Sequence, residues 1–331
     1  LLPEKEIREN LFHIASETDF NSLALRVFRF QVEQNAVYAR FVKSLKIDPA
    51  SVTHYEAIPF LPIELFKTLP VVCGTLSGTE TIFTSSGTTG QTTSSHYVKY
   101  PELYLESFLK GFERVYGDVR DYCILALLPN YLERTGSSLV FMFDELIRRS
   151  GHPSGGFYLH NIHDLMVTLQ REQEKKQKIL LLGVTYALLD LADTGLTLND
   201  QVIVMETGGM KGRRKEMVKE EVHAILKEKF GIAAVHSEYG MTELLSQAYS
   251  SANGLFSCPP WMRVLVRDAN DPFHYLAPGR SGGINVIDLA NVYSCSFIET
   301  KDLGKIHGAS GFEILGRFDN SDLRGCNLMI G

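Results

Sequence analysis

What this 331-residue chain lacks narrows its class first. No apolar run approaches the ~20 residues a membrane helix needs, so no membrane span is expected. The opening stretch, LLPEKEIREN, is charged and has no apolar core with a cleavage site, so no signal peptide is expected either. Cysteine is sparse: Cys73, Cys123, Cys258, Cys295 and Cys326, none in a C-x-x-C pair. Five cannot all pair within one chain, which points to free thiols and a cytoplasmic location. There is no basic excess. The net charge of −6 argues against a nucleic-acid partner. The single tryptophan, Trp261, follows two prolines and reads as a packing anchor. No internal repeat is present.

What is present is an alternation of helical and apolar-strand patterns. Residues 1–70 read as a helical lead-in packed on the main body, closing with the proline-punctuated IPFLPIELFK. From 71 to 254, short buried strands such as YCILALL (122–128), the start of KILLLGVTYALLDL (178–191) and 201–205 alternate with helices at 101–116, 137–150 and 211–230. That pattern predicts an α/β core with a mostly parallel sheet. Composition shifts near Gly254. Residues 255–331 carry short alternating strands at 262–266, 283–288, 295–299 and 312–315, predicting a β-rich C-terminal subdomain.

One stretch is compositionally unusual. From Thr81 to Ser95, TIFTSSGTTGQTTSS, ten of fifteen residues carry a hydroxyl and Gly87 and Gly90 supply bends. Hydroxyls and free backbone N–H groups can surround an anion, and glycine lets the backbone approach it. The Gly-Lys-Ser/Thr ending of a Walker loop is missing, and on composition alone a polar linker is the better reading. Four later stretches change the balance. Glu206-Thr-Gly-Gly209 sits where a strand ends, the edge at which open α/β sheets bind ligands. His236-Ser-Glu-Tyr-Gly-Met-Thr-Glu243 gathers two carboxylates, two hydroxyls and an aromatic ring; Thr300-Lys-Asp-Leu-Gly304 and Gly316-Arg317-Phe-Asp319 each follow a strand.

FTSSGTTG, YGMTE, TKDLG and GRFDN, in that order, resemble the adenylate-forming superfamily of acyl-CoA synthetases and ligases. The helical lead-in, the TGG turn, PPW at 259–261 and the closing Arg324-Gly-Cys326 resemble its LuxE-type acyl-protein synthetase branch. The resemblance implies an α/β large-domain fold of layered, mostly parallel sheets and helices, with the usual C-terminal small domain and its catalytic lysine absent. It implies that ATP and Mg²⁺ activate a carboxylic acid, of fatty type, as an acyl-adenylate, whose acyl group passes to a thiol. The implied acceptors are Cys326, an acyl-accepting partner protein or reductase subunit, or CoA.

The roles it implies are specific. Ser85, Ser86, Gly87, Thr88, Thr89 and Gly90 would hold the β- and γ-phosphates. Tyr239 would stack on or border the adenine, with Gly208 and Gly209 bordering the acyl or adenine pocket. Thr242 would bond the α-phosphate and Glu243 would hold Mg²⁺, a hard ion suited to oxygen ligands. Asp302 would accept from the ribose hydroxyls, and Arg317 would contact ribose or phosphate. Cys326 would take the acyl group as a thioester, a cation nearby lowering its pKa, against the alternative of a small apolar filler. The other four cysteines read as packing residues.

This chain departs from many relatives in carrying Gln91, Thr92 and Thr93 where a lysine follows the hydroxyl loop. Lys211, Arg213 and Arg214 are candidates for the cation at the α-phosphate, against a plain solvent-facing helix start. Glu206, His236 and Glu238 are candidates to line the acyl pocket. His160, His163 and Asp164 have metal-ligand types but no second cluster, and read as a surface feature. Two alternatives stay open: a compact CoA ligase with Cys326 a bystander, and a non-catalytic nucleotide- or acyl-binding subunit.

Overall fold

The computed structural model describes residues 2–78, 80–85, 93–129, 135–208, 217–308 and 311–318. The lead-in consists of α1 (Leu2–Asn10), α2 (Glu17–Gln34) and α3 (Ala36–Ser44). Ser16 starts α2 through a reciprocal capping box with Asp19. Asn35 ends that helix and starts the next, its side-chain oxygen accepting from the N–H groups of Val37 and Tyr38 at 3.0 Å each. The apolar face of α2 buries Phe20, Leu23, Val27 and Phe28 against the main body. IPFLPIELFK reads in sequence as an irregular packed segment followed by a short helix; in its first part β1 (Leu61–Pro62) pairs in parallel with a distant strand at Ile298 and Glu299. A 3₁₀ turn, Ile63–Lys67, follows it.

The hydroxyl-rich stretch joins a hairpin. β2 (Thr81–Thr84) and β3 (Ser95–Val98) pair antiparallel in register from Thr81 opposite Val98 to Thr84 opposite Ser95. Then α4 (Pro101–Tyr116) begins with proline at its first turn, where a missing N–H costs nothing. The alternating core follows as β4 (Tyr122–Leu127), α5 (Ser138–Ser150), β5 (Gly156–Phe157), α6 (Ile162–Glu174), β6 (Lys178–Gly183), α7 (Thr185–Ala192), β7 (Val202–Glu206), α8 (Lys219–Phe230) and β8 (His236–Tyr239). All six residues of β4 and five of six in β6 are buried, as strands covered on both faces require. The expected helix over 211–230 is shorter in its described part: Val218 is extended and α8 begins at Lys219.

Beyond β8 the chain turns antiparallel: β9 (Ala248–Ser250), β10 (Leu255–Ser257), β11 (Met262–Arg267), β12 (Ser281–Asp288), β13 (Phe297–His307) and β14 (Gly311–Arg317). Hydrogen bonding runs unbroken through the order β11-β12-β13-β14-β10-β9-β8-β7-β6-β4-β5, with β1 beside β13. The pairs β5–β4, β4–β6, β6–β7 and β7–β8 are parallel. Parallel pairing gives way to antiparallel between β8 and β9, before the composition shift at Gly254, and the sheet continues across that shift. The stretch TKDLG, expected to follow a strand, lies inside β13 at a register shift between Leu303 and Gly304. Gly304 is required there: a Cβ would sit 2.4 Å from the Glu313 carbonyl. Among the described residues no helix is long and apolar enough to cross a membrane.

Candidate active site

Three of the sequence motifs meet at one polar knot. The Tyr239 hydroxyl donates to Asp302 Oδ2 at 2.8 Å, and Arg317 Nε donates to Asp302 Oδ1 at 3.1 Å. Sheet register causes the second contact, since Asp302 and Arg317 lie directly opposite each other on β13 and β14. Thr300 Oγ1 accepts the Asp302 N–H at 3.1 Å, fixing the backbone at the bulge. Tyr239 is packed edge-on against Phe256 and Phe312. Burial first, then the Asp302 charge, push its phenol well above the ordinary value. Asp302 is buried, whereas the Arg317 side chain is 73% exposed. The guanidinium is thus the accessible member of the three.

The base of the hydroxyl loop reaches the same region. Ser85 and Ser94 pinch its ends, with Ser85 Oγ accepting the Ser94 N–H at 2.9 Å and the Ser94 carbonyl accepting the Ser85 N–H at 3.1 Å. The Ser94 side chain in turn hydrogen-bonds the Glu243 carboxylate. Glu243 is buried and has no ion-pair partner among the described residues. Burial raises its pKa, and the Ser94 bond opposes the rise. Thr242 is half-buried. Ser86, Gly87, Thr88, Thr89, Gly90, Gly209 and Cys326 lie outside the described residues, as do Lys211, Arg213 and Arg214.

Sequence reasoning missed the scaffold behind Thr242 and Glu243. His96, fully buried on β3, faces the Thr242 carbonyl with Nδ1 at 2.8 Å and Asn291 Oδ1 with Nε2 at 3.0 Å. The amide orientation of Asn291 is fixed, because its Nδ2 donates to the Glu243 and Cys295 carbonyls at 2.8 and 2.9 Å. Both ring nitrogens therefore meet acceptors, which favours the doubly protonated ring. Burial opposes that charge and pushes the imidazole down to about 4. Asp288, also buried, accepts the N–H groups of Leu245 and Ser246 at 2.7 and 3.0 Å and the Ser246 hydroxyl at 2.5 Å. Burial raises it to about 6 despite those bonds. Trp261 Nε1 donates to Ser107 and Ser246, each at 3.0 Å, so its packing role extends to this loop.

The lead-in supports the same scaffold from behind. Gln31 Nε2 donates to the Asn291 and Val292 carbonyls at 2.9 Å each, and its oxygen accepts the Ser296 N–H at 3.0 Å. Asn35 Nδ2 donates to the Ser294 carbonyl at 2.9 Å. These contacts join residues some 260 positions apart. The local signal was one amide, Gln31, on the apolar face of α2 and a second, Asn35, at its end.

At the ends of β7 and β8 two buried carboxylates diverge. Glu206 pairs with Lys219 at 2.8 Å and accepts from Ser237 at 2.8 Å and from Thr185 at 3.2 Å. Burial alone would raise it; His223, Lys219 and Ser237 reverse that and hold it at about 2. Among the described residues Glu238 accepts from Thr207 Oγ1 alone, at 2.7 Å, and burial pushes it up to about 7. Gly208, with φ of +59°, carries its carbonyl within 3.4 Å of Thr185 Oγ1. His236 is half-buried beside the Tyr116 hydroxyl at 3.2 Å. His160, His163 and Asp164 are exposed at the start of α6, and no group of three metal-ligating side chains occurs among the described residues.

A parallel sheet continued by antiparallel strands, with separate motifs gathered at its edge, is the architecture of adenylate-forming ligases. ATP-bound MatB from Rhodopseudomonas palustris superposes with a TM-score of 0.53 at 21% identity, over 71% of this chain and 47% of that one. This chain thus spans about half of that enzyme's length. A 2-hydroxyisobutyryl-CoA ligase, solved with 2-HIB-AMP and CoA in the thioesterification state, gives a TM-score of 0.69 at 16% identity, over 93% of this chain and 70% of that one. Likeness at these identities establishes the fold. The family follows from sequence: a family model described as "Acyl-protein synthetase, LuxE" matches residues 14–331, and the chain belongs to that family. The long-chain-fatty-acid–luciferin-component ligase of Vibrio harveyi is 22% identical over 323 residues, 91% of this chain and 84% of that protein.

Proposed function

We propose that this chain activates a carboxylic acid with ATP and transfers the acyl group to a thiol. The observation that carries the reading is the meeting of Tyr239, Asp302 and Arg317, with Ser94 bonded to Glu243 beside them. A carboxylate resists nucleophiles until its charge is consumed. In the proposed first step its oxygen attacks the α-phosphorus of ATP, the bond to pyrophosphate breaks, and an acyl-adenylate forms. A thiolate then attacks the acyl carbon, and AMP leaves with the electron pair of the broken C–O bond.

In this reading Ser85, Ser86, Gly87, Thr88, Thr89 and Gly90 hold the β- and γ-phosphates, with the Ser85–Ser94 pinch setting the width of the loop's base. Asp302 accepts from the ribose hydroxyls, held in place by Tyr239. Arg317, exposed on its strand, meets ribose or phosphate. Gly208, Gly209 and Tyr239 border the nucleotide and acyl sites, and Thr242 bonds the α-phosphate. Glu243 suits Mg²⁺: a buried carboxylate without an ion-pair partner among the described residues gains from a bound cation. Mg²⁺ commonly takes one or two carboxylates and completes its shell with phosphates and water, so the missing protein cage is no obstacle. Bound there, the ion would neutralise charge on the phosphates. The fatty character of the acid, and a protein acceptor or reductase partner, are supported by the family and by the printed name of the Vibrio harveyi relative.

Burial narrows the choice of thiol. It pushes Cys123, Cys258 and Cys295 up to about 12 and Cys73 higher still, so none supplies thiolate near neutrality. The acceptor left within the chain is Cys326; outside it, a partner's cysteine or CoA. CoA is the second reading, favoured by the fold shared with a CoA ligase. Four unpaired thiols suit a cytoplasmic setting.

Acid-dependent exchange of pyrophosphate into ATP tests the first step, and absence of exchange across short, long-chain, aryl and amino acids would sink it. For the second step, Cys326→Ser should keep exchange and lose label transfer from acid to protein. Acyl-CoA formation undiminished in that variant would decide for CoA.

A further inference from the structure

Three buried polar atoms lack a hydrogen-bond partner among the described residues: Gln247 Oε1, Tyr249 OH and Asn285 Nδ2. Two of them lie together. Tyr249 on β9 is directly opposite Glu238 on β8, and directly opposite residues share a face of the sheet. A Cβ on Gly240 would lie 2.5 Å from Glu238 Oε1 and 3.4 Å from Gln247 Cγ, so those two side chains flank one point. The Tyr249 phenol is raised by burial first, and next by Glu238, Tyr116 and Tyr104 around it. Gln247 and Tyr249 are 4% and 3% exposed. Leaving such groups unmatched is costly, because each has given up its water without a replacement. These polar groups lie beside Gly240, two residues before Thr242.

We propose that Glu238, Gln247 and Tyr249 form the polar part of the acyl-binding site, and that the preferred acid carries a hydroxyl there instead of a plain alkyl chain. The proposal rests on the adenylation reading above. A hydroxyl has one proton to give and lone pairs to receive. Gln247 Oε1 accepts that proton, and the Tyr249 O–H donates to a lone pair. An ammonium fits worse, because it brings only donors and Glu238, with burial favouring its proton, offers no counter-charge. A water molecule has the same chemistry as the hydroxyl, so the experiment separates the two sources.

The test compares dodecanoate with 2-, 3- and 12-hydroxydodecanoate in pyrophosphate exchange, for the wild type, Tyr249→Phe and Gln247→Met. The expected result is a kcat/KM preference of about tenfold or more for one hydroxylated acid. That ratio should collapse towards unity in both variants. A wild type preferring dodecanoate, or a ratio untouched by both substitutions, overturns the proposal and leaves a structural water as the occupant. Thermal denaturation with each acid separates this from failure of the adenylation reading. If no acid supports exchange but the hydroxy acid raises Tm in the wild type and not in Tyr249→Phe, the hydroxyl site stands and adenylation falls. Neither exchange nor a shift overturns both.

Discussion

The two faces of the β7–β8 edge solve the same problem in opposite ways. On one, Glu206 is buried as an anion, with Lys219, Ser237, Thr185 and His223 gathered around it. On the other, Glu238 has a single hydroxyl partner among the described residues, and burial carries its pKa to about 7. Thr207 and Ser237 alternate between them, one bonded to each carboxylate. A group surrounded by partners is held by the fold, whereas an acid with one described partner, beside atoms that lack any among the described residues, keeps capacity for something else. The difference separates structural from receptive polarity within one strand ending, where sequence alone offered three similar candidates for an acyl pocket.

The largest expected effect tests the first half of that contrast. Lys219→Met removes the cation and leaves Glu206 charged and buried, a change that costs about 3–5 kcal/mol in comparable sites. Urea unfolding at neutral pH reads it, and a loss below about 1 kcal/mol would mean that His223, Ser237 and Thr185 suffice alone.

Glu238 should behave differently, with an effect that depends on pH. Its folded pKa is raised, so its proton favours the folded state fully below about 4.5, and that contribution disappears as pH climbs through about 7. Glu238→Gln keeps the neutral shape at every pH. The stability of wild type relative to this variant should fall by on the order of 3 kcal/mol between pH 4.5 and 8. Glu206 has the opposite sign: its folded pKa is depressed, so its contribution is lost on acidification from about 4.5 down through about 2. A flat difference between wild type and Glu238→Gln would show that Glu238 is ionised throughout.

Much of this was legible in the sequence, and the limits have a physical cause. The parallel core was readable because doubly covered strands such as β4 and β6 are continuous apolar runs. The motifs were readable because each packs several chemical groups into a few residues. Their convergence was not: Tyr239, Asp302 and Arg317 are joined by register, which no local pattern records. Polar Thr300 and Asp302 occupy the buried face of β13 and alternate with half-buried Glu299, Lys301 and Lys305, so polar residues on both faces disguised it as a strand followed by a loop. His96, Asn291, Asp288 and Gln31 were invisible for the same reason. Each is an ordinary polar residue whose importance comes from partners far along the chain.

His96 extends the comparison to the hairpin, since it too is a buried titratable group whose partners, not its burial, define its task. His96→Phe should preserve the edge-on contact with Phe66 at 5.9 Å while removing the imidazole bridge, and with it the one N–H of the neutral ring, between the Thr242 carbonyl and Asn291 Oδ1. The expected loss is about 1–3 kcal/mol of stability, with a lower kcat for pyrophosphate exchange because Thr242 is no longer held. His96→Gln retains one donor and should recover part of both. Equal loss in the two variants would reduce His96 to a space-filling ring.

The smallest effect is expected at Tyr239. Tyr239→Phe keeps the packing on Phe256 and Phe312 and removes one bond, so the cost in folding should stay near 1 kcal/mol. Its consequence lies in where Asp302 points. Without the phenol, the carboxylate is tethered through Arg317, whose side chain is largely in water and holds it weakly. If Asp302 receives the ribose hydroxyls, looser orientation should raise KM for ATP about fivefold with little change in kcat, the pattern of lost uniform binding. A rise confined to the acid's KM would instead place Tyr239 on the acyl side. The knot would then belong with Glu238 and the receptive face, and the nucleotide would have to be held elsewhere.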